Sequence, residues 1–331
     1  MKAIIPVAGA GTKLRPLTYT QPKALIPLAG KTILSVIVDQ LIDAGVTEFV
    51  FVIGYLGEKI QRYMARTYPR LSYTLITQND RRGTGHAIWL THDAVGDEEV
   101  IIVLGDTVCD YNVKDVINSN TSQIGVRKVD DPRSFGVAEL DDKDRVLRVV
   151  EKPLIPKSNM AMVGVYYIKE TAAMYSALNK HLHNRADEDG EYHLTNALEH
   201  MIESGVQFQA FRVNNWFDCG KKESLLSTNA ILLKQLEERT PHHTATFEGT
   251  VIIPPVSIAE GCNIRHSIIG PNVTIGEHTT IHSSIIKDSI IGAYAELEEV
   301  VLNSSIIGSD AYVRGLSQSL NIGDNTEIDL G

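Results

Sequence analysis

Ala3-Ile4-Ile5-Pro6-Val7-Ala8-Gly9-Ala10-Gly11-Thr12-Lys13-Leu14-Arg15-Pro16-Leu17-Thr18 is the stretch on which the fold turns. Its apolar half is too short for the core of a secretion signal and is broken by Pro6 and the glycines, so it reads as a buried strand. A glycine-rich turn at the carboxyl end of a strand points backbone N–H groups at an anion. Lys13, Arg15 and, beyond Pro22, Lys23 add neutralising charge. The stretch is not a Walker loop, because the glycine-lysine-serine ending is missing, and it lacks the third glycine of a dinucleotide fingerprint. The glycines alone fit a plain strand-to-helix turn as well as they fit a phosphate cradle.

Working outward, short apolar runs alternate with amphipathic ones. Residues 3–7 and 49–53 read as strands, and 35–44 and 58–65 as helices. This β, α, β, α order predicts a mostly parallel sheet covered by helices. Further strands are expected at 72–77, 100–104, 122–127 and 163–168, and helices at 85–94 and 194–204. The α/β region closes near 211–218, a polar helix follows over 221–238, and Thr240-Pro241-His242-His243 reads as a linker.

Beyond it the texture changes. Ile258, Ile264, Ile275, Ile281, Ile291, Ile307 and Ile322 recur among glycines and small polar residues. Ile269-Gly270-Pro271-Asn272-Val273-Thr274 and Ile275-Gly276-Glu277-His278-Thr279-Thr280 are consecutive six-residue units, each opening with isoleucine and glycine. This periodicity predicts a parallel β-helix, with one aliphatic residue of each short face pointing inward and Gly or Asn at the corners. His242, His243, His266, His278 and His282 fall in the linker or at polar positions of the repeat, and read as solvated surface.

The 331 residues carry a formal net charge of −10, which argues against a nucleic-acid partner gripped by a basic surface. No window has the apolar length of a membrane span. Cys109, Cys219 and Cys262 are widely spaced, with no disulfide framework or zinc pattern, and a reducing cytoplasm suits them best. Asp106, in Leu104-Gly105-Asp106, ends a very apolar strand, at the sheet edge where α/β proteins bind ligands.

Taken in order, these segments resemble the sugar-1-phosphate nucleotidylyltransferase family. The opening motif G-x-G-T-R-L-x-P-x-T followed by P-K is matched by Gly9 to Thr18 with Pro22 and Lys23, except that Lys13 replaces the arginine. Lysine keeps the charge but loses the planar bidentate fork. Gln78 with Gly83-Thr84-Gly85-His86-Ala87 resembles the family's base-recognition element, which favours UTP or dTTP. Glu151-Lys152-Pro153 matches E-K-P, with the glutamate on sugar hydroxyls and the lysine on the sugar phosphate. Trp216-Phe217-Asp218-Cys219-Gly220 matches W-x-D-x-G.

The resemblance implies an α/β fold: a Rossmann-like nucleotidyltransferase domain over 1–240, then a left-handed parallel β-helix over 244–331. It implies that Ala8, Gly9, Ala10, Gly11, Thr12, Gln78, Gly83 and Thr84 bind the nucleotide. Gly136, Glu151, Lys152 and Gly164 bind the sugar, and Asp106 and Asp218 hold Mg²⁺ as the cofactor. Lys13, Lys23, Asp106, Lys152 and Asp218 then carry catalysis between a nucleoside triphosphate and a sugar 1-phosphate. Met162 stands where branches using N-acetylglucosamine 1-phosphate more often carry asparagine, which points to glucose 1-phosphate. Glu191-Tyr192-His193-Leu194-Thr195-Asn196 resembles E-x-x-L-T-D and shapes the sugar pocket, although Thr195 fits a helix cap equally well. The β-helix implies a homo-oligomer. Two other readings remain open: a non-catalytic sugar-nucleotide sensor, raised by Lys13, and a bifunctional enzyme that also transfers an acyl group.

Overall fold

A computed structural model describes residues 1–183, 190–239 and 247–315. Contacts divide the chain into two compact units, Met1–Thr228 and Asn229–Gly331. The expected linker, Ile322 and the end of the repeat lie outside the described residues.

In the first unit β1 is Lys2–Pro6, followed by α1 (Ile33–Asp43), β2 (Glu48–Ile53), α2 (Gly57–Thr67), β3 (Ser72–Thr77), α3 (Thr84–Trp89) and β4 (Val100–Val103). Then come β5 (Thr107–Asp110), β6 (Ser122–Lys128), β7 (Gly136–Leu140), β8 (Val146–Glu151) and β9 (Met160–Ile168). The unit closes with α4 (Thr171–His183), α5 (Leu194–Glu203), β10 (Phe208–Arg212), β11 (Asn215–Asp218) and the start of α6 (Lys222–Arg239). Nine strands form one sheet: the path runs β8-β7-β9-β4-β1-β2-β3, with β6 on β9 and β10 on β6. The β4-β1-β2-β3 pairings are parallel, and β9 joins antiparallel to β4.

Ala3, Ile4 and Ile5 are fully buried, as in a central parallel strand, and β1 is flanked in the sheet by β2 and β4. Helix α1 starts where Thr32 Oγ1 accepts the Ser35 N–H at 3.1 Å, an ordinary N-cap. The helix expected over 85–94 is two pieces, Thr84–Trp89 and His92–Val95. Between them Thr91 Oγ1 donates to the Ile88 carbonyl at 2.6 Å and meets Tyr175 Oη at 2.8 Å, a side-chain bond that competes with helix continuation. The β7–β8 hairpin and α4 had no counterpart in the sequence reading.

Two glycines fix the edge where the site forms. A Cβ on Gly105 would lie 2.3 Å from Val7 Cγ1 and 2.7 Å from the Pro6 carbonyl, so glycine lets the Asp106 turn press against the end of β1. Gly164, at φ +83, sits where the β9–β6 register shifts, and its carbonyl accepts the Leu104 N–H at 2.9 Å.

The second unit is a left-handed parallel β-helix of three four-stranded parallel sheets. Ile264, Ile269, Ile275, Ile281, Ile286 and Ile291 point inward and are buried. The corners differ from expectation. Asn272 holds one left-handed corner, but His266, His278, Ser283, Asp288, Tyr294 and Glu299 hold others, at φ between 47° and 61°. Each donates its backbone N–H to a carbonyl one coil earlier, as His278 does to Glu260 and Tyr294 to Glu277. That bond offsets the roughly 1–2 kcal/mol cost of the conformation for a side-chain-bearing residue. Asn229, fully buried in α6, donates to the Asn272 carbonyl and accepts from Thr274 Oγ1. Those contacts group the end of α6 with the repeats.

Candidate active site

The loop after β1 is held by its own residues. Gly11 is left-handed at φ +61, and a Cβ there would meet Thr18 Cγ2 at 2.9 Å and Lys23 Cβ at 3.1 Å. Fully buried Thr18 donates its hydroxyl to the Gly11 carbonyl at 2.8 Å. The N–H-bearing turn of Ala8 to Thr12 therefore lines a cavity of about 700 Å³ instead of closing on itself. Lys13, Lys23, Gln78, Gly83, Thr84 and Asp106 line the same cavity. Lys23 Nζ lies 2.6 Å from Asp106 Oδ2, and both side chains are partly exposed, Asp106 more than Lys23.

A second cavity, about 310 Å³, is lined by Gly136, Glu151, Lys152 and Gly164. Asp106, Thr84, Leu104 and Glu191 belong to both cavities, so the two meet at the carboxylate. Glu151 is the organiser of the second: its Oε2 accepts from Thr195 Oγ1 at 2.6 Å, while Oε1 faces Lys152 Nζ at 3.6 Å and His193 Nδ1 at 3.7 Å. Thr195 is thus a wall residue rather than a cap; the N-cap is His193, with no side-chain cap bond. Lys152 holds a left-handed φ of 40°, and its N–H donates to the Phe135 carbonyl at 3.0 Å. A non-glycine residue kept there stores of order 1 kcal/mol or more, and such strain gathers at functional sites.

Asp218 reaches the same edge through its backbone. Strand β11 pairs antiparallel with β5, setting Asp218 opposite Thr107, and the Cys219 N–H donates to the Asp106 carbonyl at 3.1 Å. Among the described residues no three His, Cys, Asp or Glu side chains cluster as a closed metal site.

The segment around Gly83 to Gly85 is packed against Tyr192 to Leu194. The Gly85 N–H donates to the Tyr192 carbonyl at 2.7 Å, the Tyr192 N–H to the Arg82 carbonyl at 2.8 Å, and the Leu194 N–H to Thr84 Oγ1 at 3.1 Å. A Cβ on Gly83, at φ +94, would strike the Tyr192 backbone at 2.6 Å. His86, buried in α3, stays neutral to lower pH than an ordinary imidazole, first through burial and then through the Arg82 charge.

The sequence reading passed over several lining residues. Arg81 faces the larger cavity and Phe135 the smaller, which His193 and Trp216, already quoted within their motifs, also line. Trp216 packs edge-on to Phe135 at 4.8 Å, and its buried Nε1–H has no partner among the described residues. Their types carry no signal without the hairpin and loop paths. Arg15, beside the Lys13 position, stacks over Tyr19 at 4.9 Å and lines neither cavity. The three cysteines are free, and no described helix is long and apolar enough to cross a membrane.

An α/β sheet with paired cavities at its strand ends, followed by a left-handed β-helix, is the architecture of a nucleotidyl transferase with a hexapeptide domain. Residues 2–235 match the nucleotidyl transferase family and 233–329 the GlmU-like C-terminal hexapeptide family. The chain is 30% identical to a glucose-1-phosphate thymidylyltransferase of Streptomyces antibioticus, over all of this chain and 99% of that protein. It is 33% identical to UTP–glucose-1-phosphate uridylyltransferase AglF of Haloferax volcanii, over 67% of this chain and 93% of the relative. With the bifunctional protein GlmU of Methanocaldococcus jannaschii it shares 29% identity over 98% of this chain and 80% of the relative. A UDP-glucose pyrophosphorylase crystallised with UDP-glucose has the same fold, with a TM-score of 0.62 at 22% identity over 71% of this chain and 98% of that one. The chain belongs to the sugar-1-phosphate nucleotidyltransferase family.

Proposed function

We propose that the chain transfers the nucleotidyl group of UTP or dTTP to glucose 1-phosphate, releasing pyrophosphate, with residues 1–240 catalytic and the repeats of 244–331 an assembly module. The observation that carries this reading is the meeting of two cavities at Asp106, one walled by the glycine-rich loop with Lys13 and Lys23, the other by Glu151 and Lys152. A triphosphate in the first and a sugar phosphate in the second bring an attacking oxygen and an α-phosphorus to one point, as in-line displacement requires.

The chain's own groups then position and neutralise. Backbone N–H groups of Gly9 to Thr12, with Lys13 and Lys23, hold the triphosphate, and Lys152 holds the incoming phosphate. Glu151, with Oε2 fixed by Thr195, accepts from sugar hydroxyls. Asp106 fits a hard cation: its carboxylate is open to solvent at the cavity junction, and the Asp218 backbone lies on the neighbouring strand. Two carboxylates with phosphate and water oxygens suit Mg²⁺, which when bound would offset charge on the reacting phosphates.

Pyrophosphate release with Mg²⁺ across UTP, dTTP, GTP, ATP and CTP against glucose, mannose, galactose and N-acetylglucosamine 1-phosphates tests the proposal. Turnover with a pyrimidine triphosphate and glucose 1-phosphate is the expected result. No turnover, with nucleotide-sugar binding intact, would replace it by the sensor reading that Lys13 raises.

Gly136→Ala separates the two cavities. Its Cβ would lie 2.3 Å from Met162 Cε, 3.1 Å from Thr195 Oγ1 and 3.2 Å from Glu151 Oε2. Met162, itself a wall of the smaller cavity, has to shift, so KM for the sugar phosphate rises roughly tenfold or more, the effect of one misplaced methyl in a fitted pocket, with KM for the triphosphate unchanged. Equal shifts in both constants would refute the division.

For the β-helix, exposed Val251, Ile268, Ile285 and Val301 stack in register along one face. A bare aliphatic ladder of this kind supports self-association. Light scattering at micromolar concentration should give a single species above the monomer mass; a monomer refutes it.

A further inference from the structure

We propose that His86 is a positioning residue that sets nucleotide choice by locking the orientation of the Gln78 amide, so that the protein selects uracil or thymine and rejects cytosine. The inference rests on the reading above in which Gln78 meets the base. Gln78 is almost fully buried at the wall of the larger cavity, and its Nε2 lies 3.1 Å from the Gly83 carbonyl and 3.0 Å from His86 Nδ1. An amide nitrogen has two hydrogens. The Gly83 carbonyl can only accept, so it takes one; a neutral His86 with its Nδ1 lone pair free takes the other. Both donors are then spent, and the carbonyl Oε1 is what remains for a ligand. No described group donates to Oε1, and it is not sealed from solvent.

That leaves an acceptor at the base edge. Uracil and thymine carry a hydrogen on N3, which an acceptor binds; cytosine carries a lone pair at N3, which an acceptor repels. A glutamine free to turn over would serve both. The lock therefore turns an ambivalent side chain into a selective one, and discrimination by an unpaired buried polar group is the strong kind.

The ring is held in the required state by its surroundings. It stacks on Trp89 at 6.2 Å between centroids. Burial is the largest influence and opposes charge, and Arg82 acts in the same direction. Asp80, whose backbone carbonyl and negative charge favour the protonated ring, opposes them. Helices α4 and α5, which pack on α3, contribute none of these influences.

The test compares UMP and CMP binding by calorimetry, and kcat/KM for UTP and CTP, in the wild type, His86→Phe and His86→Asn. Phenylalanine keeps the ring but removes the acceptor; asparagine can return an acceptor oxygen near the Nδ1 position. The expected result is a fall of about tenfold or more in the uracil-to-cytosine ratio for His86→Phe, with much of it restored in His86→Asn. In the wild type the ratio should hold through neutral pH and fall only below the ordinary imidazole range, where a protonated Nδ1 donates and turns the amide over. An unchanged ratio in His86→Phe, or equal losses for both bases without rescue, overturns the proposal. A wild type without turnover would sink the assigned activity, while the UMP and CMP affinities would still decide this point.

Discussion

Asp106→Asn lowers kcat/KM for nucleotidyl transfer by roughly a hundredfold to a thousandfold, the usual cost of deleting one preorganised charge contact at a transition state. The side chain keeps its shape, so what changes is the charge at a residue that lines both cavities. A neutral amide cannot balance Lys23, 2.6 Å away, and is a poor ligand for a hard cation beside the Asp218 strand. Loss of fold is not the route. The Lys23–Asp106 pair is partly open, with side-chain exposures of 15% and 42%, and a pair of that kind contributes about 1 kcal/mol or less to stability. Steady-state rates of pyrophosphate release, beside thermal melts of the same preparation, separate the two effects. Activity within tenfold of the wild type would show that Asp106 does not touch the reacting groups.

Gly270→Ala should be the most damaging small change in the second unit. The residue sits at φ +111, which an alanine does not adopt without strain, and a Cβ there would lie 1.9 Å from the Ile253 carbonyl oxygen. Neither backbone can retreat. The Ile253 N–H donates to the Ile269 carbonyl at 2.8 Å, and the Gly270 N–H to the Ile286 carbonyl at 2.8 Å, so moving one coil pulls on the next. The Gly136 clash described above is closer to free, because its nearest neighbour is the mobile end of Met162. We expect a loss of about 3–5 kcal/mol in the β-helix unit, seen in calorimetry as a transition lowered by roughly 15 °C or more. An unshifted transition would mean that the coils slide past one another more easily than their ladder implies.

Much of the candidate site was legible because its groups sit in short local motifs. The loop from Ala8 to Lys13 and the Glu151-Lys152 pair need only a strand and a turn beside them to reach a cavity, and both line one. The repeat was legible for a similar reason: an inward isoleucine on each face is a periodic property of the chain. Its corners were not, since His266, Asp288 or Tyr294 can hold a left-handed conformation only because the coil below offers a carbonyl to each N–H.

Chain order alone, then, determined the α/β class, the change to a β-helix and the glycine-rich loop at the end of β1, because strand burial, turn chemistry and repeat period are set by neighbouring residues. Tertiary structure decided what those residues face. It joined the two cavities at Asp106, brought the Asp218 backbone beside it by pairing β11 with β5, and gave the Thr195 hydroxyl to Glu151 instead of to a helix cap. It also turned His86 toward the Gln78 amide. Each of these contacts depends on register, strand order or the path of a loop, which arise from packing between segments distant in the chain rather than from the residue types themselves.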